Sequence, residues 1–430
     1  MALNRNISKF ALIALLLGCV RAPASETLDQ LIGEAQANNP ELNYYRAEIK
    51  AARGERRTAG EWANPEVTTD AGAKIVNDSN GNSLGQGASW SISAAQTFEY
   101  PGRVSLRKAI ANRQISVAEI GLEGFKAALA ARVRALALRV IVTQEKAAVA
   151  RKVSDRFQEL ISVLSQRATA GVAPLLDTRL IEANAIALNR RTAENARDLQ
   201  RAVYEINQLR GSPIEAALQI AKSDLGFPPL PPLAALLSSA RSNSYDIRTH
   251  MVELGQRGLR VKLAKNERWP AVKVGPFASN ERADTSEYRA GIGFSLALPI
   301  WNRNGGNIET ASARAIQAEA SLNATILEVE RKVADAAFGY QTRRDELLKL
   351  QPVTLEQMRE AAELADRNYR LGAVGAVTYT EVQKQYLDAI DALAAAQIGA
   401  LENRQQIEQL TGLRLDGRTA AQTGERANDR

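Results

Sequence analysis

Tyr288-Arg-Ala-Gly-Ile-Gly-Phe-Ser-Leu-Ala-Leu298 decides how this chain is read. Successive side chains on a strand point to opposite faces. Tyr288, Ala290, Ile292, Phe294, Leu296 and Leu298 therefore share one face, and Arg289, Gly291, Gly293, Ser295 and Ala297 share the other. A segment of about ten residues, apolar on one side and small or polar on the other, has the pattern of a membrane β-strand. A half-buried hairpin of an ordinary protein carries the same pattern, so the stretch must be weighed with its surroundings. Its counterpart in the first half is Ser89 to Phe98, where Trp90, Ile92 and Ala94 alternate with Ser89, Ser91 and Ser93. Glu66 to Val76 reads as a weakly alternating strand, and Asn77 to Ser83 is a polar, glycine-containing turn.

That counterpart exists because the chain is written twice. Leu31, Ala35, Asn38, Glu41, Pro65 and Val67 fall opposite Leu236, Ala240, Asn243, Asp246, Pro270 and Val272 at one constant register. Gly171 to Asp177 and Gly375 to Glu381 are both a glycine turn followed by a carboxylate, and the copies finish at Gly211 and Gly412. A period this long exceeds the 20–50 residues of solenoid arrays, so the unit is a duplicated half-protein.

Each half reads as helix, hairpin, long helix, sharp turn and returning helix. Residues 28–60 have helical spacing up to the Pro65 boundary. Glycine-marked corners at Pro101-Gly102-Arg103 and Asn302 to Gly306 open helical runs over 103–168 and 307–371. At ~1.5 Å per residue such a run spans about 100 Å, and it requires neighbours as a coiled coil or bundle. A break inside a run is compatible with the pattern. Thr378 and Glu381 have capping-box spacing for the last helix. The turn register is open by three residues, since Gly171 matches either Gly372 or Gly375. The expected organisation is 25–211 as first repeat, 212–232 as a proline-rich linker, 233–412 as second repeat and 413–430 as a polar, disordered tail.

Composition supports long helices over a thick mixed core. Aromatics are 5% of the 430 residues, and there is one His and one Cys. The net charge of +7 has no basic block with interleaved aromatics, which argues against nucleic acid as a partner. Arg5, Lys9 and the apolar Phe10 to Val20 read as a signal peptide over 1–24, with Ala22-Pro23-Ala24 as cleavage site. Leu16-Leu17-Gly18-Cys19 offers a second exit, in which residues 1–18 leave and Cys19 is lipidated. Removal of Arg5, Lys9 and Arg21 lowers the charge to +4. No later segment has the ~20 apolar residues of a membrane helix, so any crossing is made by strands. Two halves supply four strands, too few to close alone, and an open edge cannot face lipid. Several chains must then contribute strands to one barrel.

The sequence strongly resembles the TolC-like outer-membrane efflux family over about 28–412, and within it the cobalt–zinc–cadmium branch. The stretches that carry the resemblance are Glu26 to Ile32 with Asn38 to Leu42, Gln96 to Arg103, Leu296 to Arg303 and Gly375 to Val382. The resemblance implies a mainly α fold with a membrane β-barrel: a homotrimer whose twelve strands form the barrel and whose helices form a periplasmic tunnel. It implies that the tips at Ala170-Gly171-Val172 and Val374-Gly375-Ala376 meet a periplasmic adaptor, itself coupled to an inner-membrane resistance-nodulation-division transporter. The Tyr369 to Gly375 turn is longer than the family pattern. The hairpin ends near Asn77–Asn82 and Asn280–Ser286 are expected to face the exterior.

No catalytic triad, phosphate loop or zinc spacing is present, so neither an enzyme nor a cofactor is expected. His250 has no Cys or His partner nearby and reads as a surface or interhelix residue. Asp366, Asp388 and Asp391 read as a solvated helix face before they read as a tunnel lining. Trp90 and Trp301 suit an interfacial girdle, and Trp62 and Trp269 suit the helix–strand corner. The functional expectation is a passive exit duct for heavy-metal cations or other small solutes. The alternatives are an exported coiled-coil structural or adaptor-like protein, and an exit duct for type I protein secretion.

Overall fold

A computed structural model describes residues 25–169, 175–221, 225–283, 285–350 and 352–415. The signal segment, Cys19 and the first tip residues Ala170, Gly171 and Val172 lie outside them. The order is α1 (Leu28–Asn38), α2 (Glu41–Ala59), β1 (Glu66–Asn77), β2 (Ser83–Phe98), α3 (Arg103–Thr169) and α4 (Leu175–Leu209). It repeats as α5 (Leu233–Asn243), α6 (Tyr245–Asn266), β3 (Val272–Arg282), β4 (Ser286–Leu296), α7 (Gly305–Lys349), α8 (Pro352–Arg370) and α9 (Ala376–Thr411). The strands form one antiparallel sheet in the order β1-β2-β3-β4. The helices that meet the sheet follow the same sequence, with α2 on α3, α3 on α6 and α6 on α7.

The opening helix expected over 28–60 is two helices in each repeat. Thr27 caps α1 through a capping box with Gln30. Asn39 then ends it, because Pro40 cannot donate to the helix ladder. The Asn39 side chain donates to the Leu209 carbonyl (2.8 Å), and Asn243 donates to the Thr411 carbonyl (2.9 Å). Each repeat thus pins the end of its first helix to the end of its last. Both returning helices stop on a left-handed glycine, Gly211 at φ +66° and Gly412 at φ +69°. Leu31, Ala35 and Leu42 fill one core with Val133, Val140 and Ile206, and Leu236, Ala240 and Ile247 fill the other with Val333, Tyr340 and Ile407.

The long run of the first repeat is one helix of 67 residues. Its copy is broken after Leu350, where Pro352 opens α8. The turn after α8 also differs from the expected cap. Gly375 is the N-cap of α9 without a side-chain cap bond, and Thr378 lies inside the helix. The linker is non-helical where described and is held by side chains of the second repeat: Tyr340 Oη donates to the Pro228 carbonyl (2.8 Å), Arg344 Nε to Phe227 (3.0 Å) and Arg404 Nη1 to Gly226 (3.2 Å).

The start of the C-terminal tail is packed rather than loose. Leu415 is buried, and its N–H donates to Glu408 Oε1 (2.9 Å). The same carboxylate accepts from Arg404 Nε (3.0 Å) and Arg134 Nη1 (3.1 Å), which joins α9 to α3. Loss of a buried partner typically costs about 3–5 kcal/mol, whereas an exposed pair contributes under about 1 kcal/mol. Glu408→Ala is therefore expected to shift the denaturation midpoint strongly. Glu402→Ala, which removes an exposed pair with Arg139 (3.6 Å), should barely move it. Urea unfolding followed by circular dichroism compares the two.

Candidate functional site

The sheet separates charge from apolar surface. Cross-strand partners in an antiparallel pair lie on one face, so the register links Ile75, Ala73, Ala71, Thr69 and Val67 of β1 to Gln86, Ala88, Trp90, Ile92 and Ala94 of β2. It continues through Ala278 and Val274 of β3 to Tyr288, Ala290, Ile292, Phe294 and Leu296 of β4. Ile292 is 78% and Phe294 83% exposed. The opposite face carries Glu66, Asp70, Lys74, Lys273, Glu281, Glu287 and Arg289. There Lys74 pairs with Glu281 (2.6 Å) and Lys273 with Glu66 (2.7 Å). Arg282, at the hairpin end, is the one charge on the apolar face. Phe277 shares the charged face, where its ring lies over Gly291 and Gly293. At ~3.3 Å per residue the eleven residues of β4 span roughly 36 Å, or about 25 Å of height at a 45° tilt. That matches a hydrocarbon-facing band.

Aromatic side chains mark both margins of this face. Trp90 lies in mid-β2, not at a strand end, but it is level with Asn280 and Tyr288 near the end of the β3–β4 hairpin. At the helix margin Trp62 meets Phe98 edge-on (6.0 Å) and Tyr100 stacks on Trp269 (5.5 Å). Trp301, beyond β4, is 93% exposed.

The two free edges are different. β1 and α2 bound one side, and β4 and α7 the other. The α7 edge presents Ile316, Leu327 and Phe338, all exposed, at a constant eleven-residue spacing. Eleven residues are close to three helical turns, so these side chains form one apolar stripe.

At the far end, α8 and α9 meet in the second tip. Gly372 adopts φ +76°, and Ala373 N–H donates to the Asn368 carbonyl (2.8 Å), which closes the helix in a Schellman turn. The stop is therefore Gly372, and the next helix starts after Gly375. Gly375 is exposed, Val374 is half-buried, and Ala376 is buried at 1% against the neighbouring helices. Leu371, Val377, Leu175 and Leu176 are exposed apolar residues beside these turns that sequence reading did not single out. Their exposure depends on helix phase, which the turn register left open.

Behind the tip, Tyr379 lies between Phe157 (5.2 Å) and Tyr369 (5.1 Å), and burial pushes its phenol pKa up. Arg370 pairs with Asp366 (3.0 Å) and Glu159 (3.6 Å), and Arg156 with Glu363 (3.5 Å), so ion pairs tie α8 to α3. Asp388 and Asp391 are not a free solvated face. Arg191 of α4 pairs with both, and Lys146 of α3 reaches Asp391 (3.2 Å). His250 lies 3.1 Å from Glu253, and no metal-binding group of residues occurs among the described residues. No described helix is long and apolar enough to cross a membrane.

Comparison with known proteins agrees with this geometry. The sequence matches the family described as Outer membrane efflux protein over residues 31–212 and 236–413. It is 25% identical to the cobalt-zinc-cadmium resistance protein CzcC of Cupriavidus metallidurans, covering 85% of this chain and 82% of that one. It is 25% identical to the pyoverdine export outer membrane protein OpmQ of Pseudomonas putida, covering 89% and 85%. Among solved structures it resembles the outer-membrane channel OprN, with TM-score 0.73 and 22% identity over 90% of this chain and 89% of that one.

The two tip glycines should respond differently to alanine. A side chain at φ > 0 costs about 1–2 kcal/mol, so Gly372→Ala should loosen the turn. A Cβ at Gly375 meets nothing within 4 Å, so Gly375→Ala should leave it intact. Amide hydrogen exchange over 366–380 is expected to speed up in the first variant and to match the parent in the second.

Proposed function

The chain belongs to the outer membrane efflux protein family, and from that premise we propose that three copies close into one passive exit duct. It is an outer-membrane efflux component that extends into the periplasm. The observation that carries the proposal is the pair of unlike edges. β1 and β4 run antiparallel to each other within the sheet, so a rotation that brings β4 of one copy beside β1 of the next continues an all-antiparallel barrel. Such a head-to-tail contact generates a ring when the rotation closes. Three copies give twelve strands, and Ile316, the residue of the stripe nearest the sheet, would meet the neighbour's α2.

In this reading residues 1–24 direct export, or Cys19 is lipidated, and residues 25–211 and 233–412 are the two repeats. The tips, with Gly171 and Gly375 at their ends and Leu371 and Val377 beside them, dock a periplasmic adaptor. The adaptor couples the duct to an inner-membrane resistance-nodulation-division transporter that supplies energy and substrate choice. Heavy-metal cations or other small solutes pass through, and resident metal ligands play no part. The tips rest closed and open as α8 swings about the break before Pro352. Of the pairs between α3 and α8, Arg370 with Glu159 is exposed and contributes at most about 1 kcal/mol, and Arg156 with Glu363 is half-buried; two such contacts suit a joint that releases when an adaptor docks.

Two outcomes test this reading. A cation on the lipid face of a barrel costs about 2–4 kcal/mol near mid-membrane. Ile292→Lys with Phe294→Lys should therefore abolish the heat-modifiable assembled band in outer-membrane fractions together with solute tolerance, while Ser295→Lys on the opposite face should preserve both. Normal assembly of the double variant would refute the barrel. For gating, Glu159→Ala with Glu363→Ala should raise single-channel open probability in planar bilayers, and an unchanged opening would remove α8 from the mechanism.

A further inference from the structure

The helix ends that meet the sheet carry a ring of cations with no carboxylate assigned to them. Arg56 and Arg57 lie in the last turn of α2, Lys108 in the second turn of α3, Lys262 and Lys265 in the last turns of α6, and Arg268 just past its end. Among the described residues none of the six is joined to a carboxylate, although Arg53 and Arg107 on the same helices are paired with Glu119 and Glu99. Glu55, Glu61, Glu99 and Glu267 stand among them in the sequence, and Glu99 is engaged by Arg107. The stem of Lys108 crosses Gly60, where a side chain would collide with it. One turn deeper, Arg260 faces Arg257 and Arg314, and desolvation together with their repulsion holds its pKa below the ordinary value.

Like charges gathered without partners oppose folding, so a ligand of opposite charge is the expected reason for the arrangement. Position identifies it. The ring lies on the helix side of Trp62, Phe98, Tyr100 and Trp269, side chains of the kind that sit at the margin of a bilayer. Lys262 is four residues from the end of α6, about 6 Å along its axis. The headgroup layer on each side of a bilayer is roughly 5–8 Å deep, so the cations fall at headgroup depth.

We propose that this ring binds the phosphates of anionic phospholipids in the periplasm-facing leaflet and fixes the depth at which the duct sits. The inference rests on the outer-membrane reading above. Aromatic residues hold the interface, and the ammonium and guanidinium groups one turn below them take the phosphate oxygens as charge-assisted hydrogen bonds. Around a three-copy ring the cations would form a continuous belt.

The test uses the full chain reconstituted into phosphatidylcholine bilayers with a minority of phosphatidylglycerol. Spin-labelled lipids report the preference of the boundary layer for phosphatidylglycerol. A basic residue near an anionic surface contributes about 1 kcal/mol, close to fivefold in a binding constant. The parent should prefer the anionic lipid, and Lys262→Gln, Lys265→Gln and Arg268→Gln together should lower that preference at least about fivefold. Arg57→Gln with Lys108→Gln gives a second reading should the triple variant not assemble. Equal preference in parent and variants would overturn the proposal. Saturable binding of inorganic phosphate that the substitutions abolish, with a lipid preference equal in parent and variants, would assign the ring to a soluble oxyanion and overturn the lipid. Failure of the parent to insert in either lipid would instead overturn the duct reading beneath it.

Discussion

A four-stranded sheet with one apolar face leaves rows of backbone N–H and C=O groups unpaired along β1 and β4. In water those groups would be hydrated; in hydrocarbon each unpaired group costs several kcal/mol. The face that points away from the charged residues carries Val67, Ile92, Val274, Ile292 and Phe294, and it suits hydrocarbon. Apolar face and open edges together leave the isolated chain incomplete. In the proposed ring, neighbouring copies complete both edges.

The helices follow from the sheet. Each strand except β4 continues with few intervening residues into or out of a helix that keeps its place in the lateral order, so α2, α3, α6 and α7 extend the sheet as a curved wall. β4 reaches α7 through the Leu298 to Asn304 corner, where Asn304 adopts the left-handed conformation and its side chain donates to the Ala264 carbonyl (2.8 Å). Away from the sheet the wall thickens into a bundle. There Asn39 and Asn243 pin the repeats closed, and the Arg134–Glu408–Arg404 cluster fastens α3 to α9. Only α8 is set apart, by the break before Pro352, and it leans on α9 through Tyr369 and Tyr379.

Much of this was legible because the chain repeats. The faces of β4 and the inner half of β2 could be read directly, since large apolar residues alternate with glycine and serine. β1 and β3 were harder: their apolar face uses Thr69, Ala71, Ala73 and Ala278, residues too small to give a strong alternation. The α1–α2 break was hidden because Asn39-Pro40 interrupts the backbone ladder without disturbing the apolar spacing of Leu31, Ala35 and Leu42. Asp388 and Asp391 were read as solvated because their partners, Arg191 and Lys146, come from distant helices, and nothing in local spacing reports such pairs. The tip exposure of Leu371 and burial of Ala376 depend on helix phase across a turn, which the three-residue ambiguity between Gly372 and Gly375 concealed.

The central claim is that unlike edges join, β4 of one copy to β1 of the next, and that the ring closes at three. Disulfide trapping in native outer membranes addresses it directly. Thr69→Cys in β1 would be held fixed while a second cysteine is walked along β4 from Tyr288 to Leu296. Cys19, the sequence's one cysteine, lies in the segment expected to be cleaved off or lipidated. The account predicts covalent dimers and trimers for pairs in register, a ladder that ends at the trimer, and no cross-link from either cysteine alone. Efficient dimers from a single β1 or β4 cysteine would mean that like edges meet, and would contradict the ring.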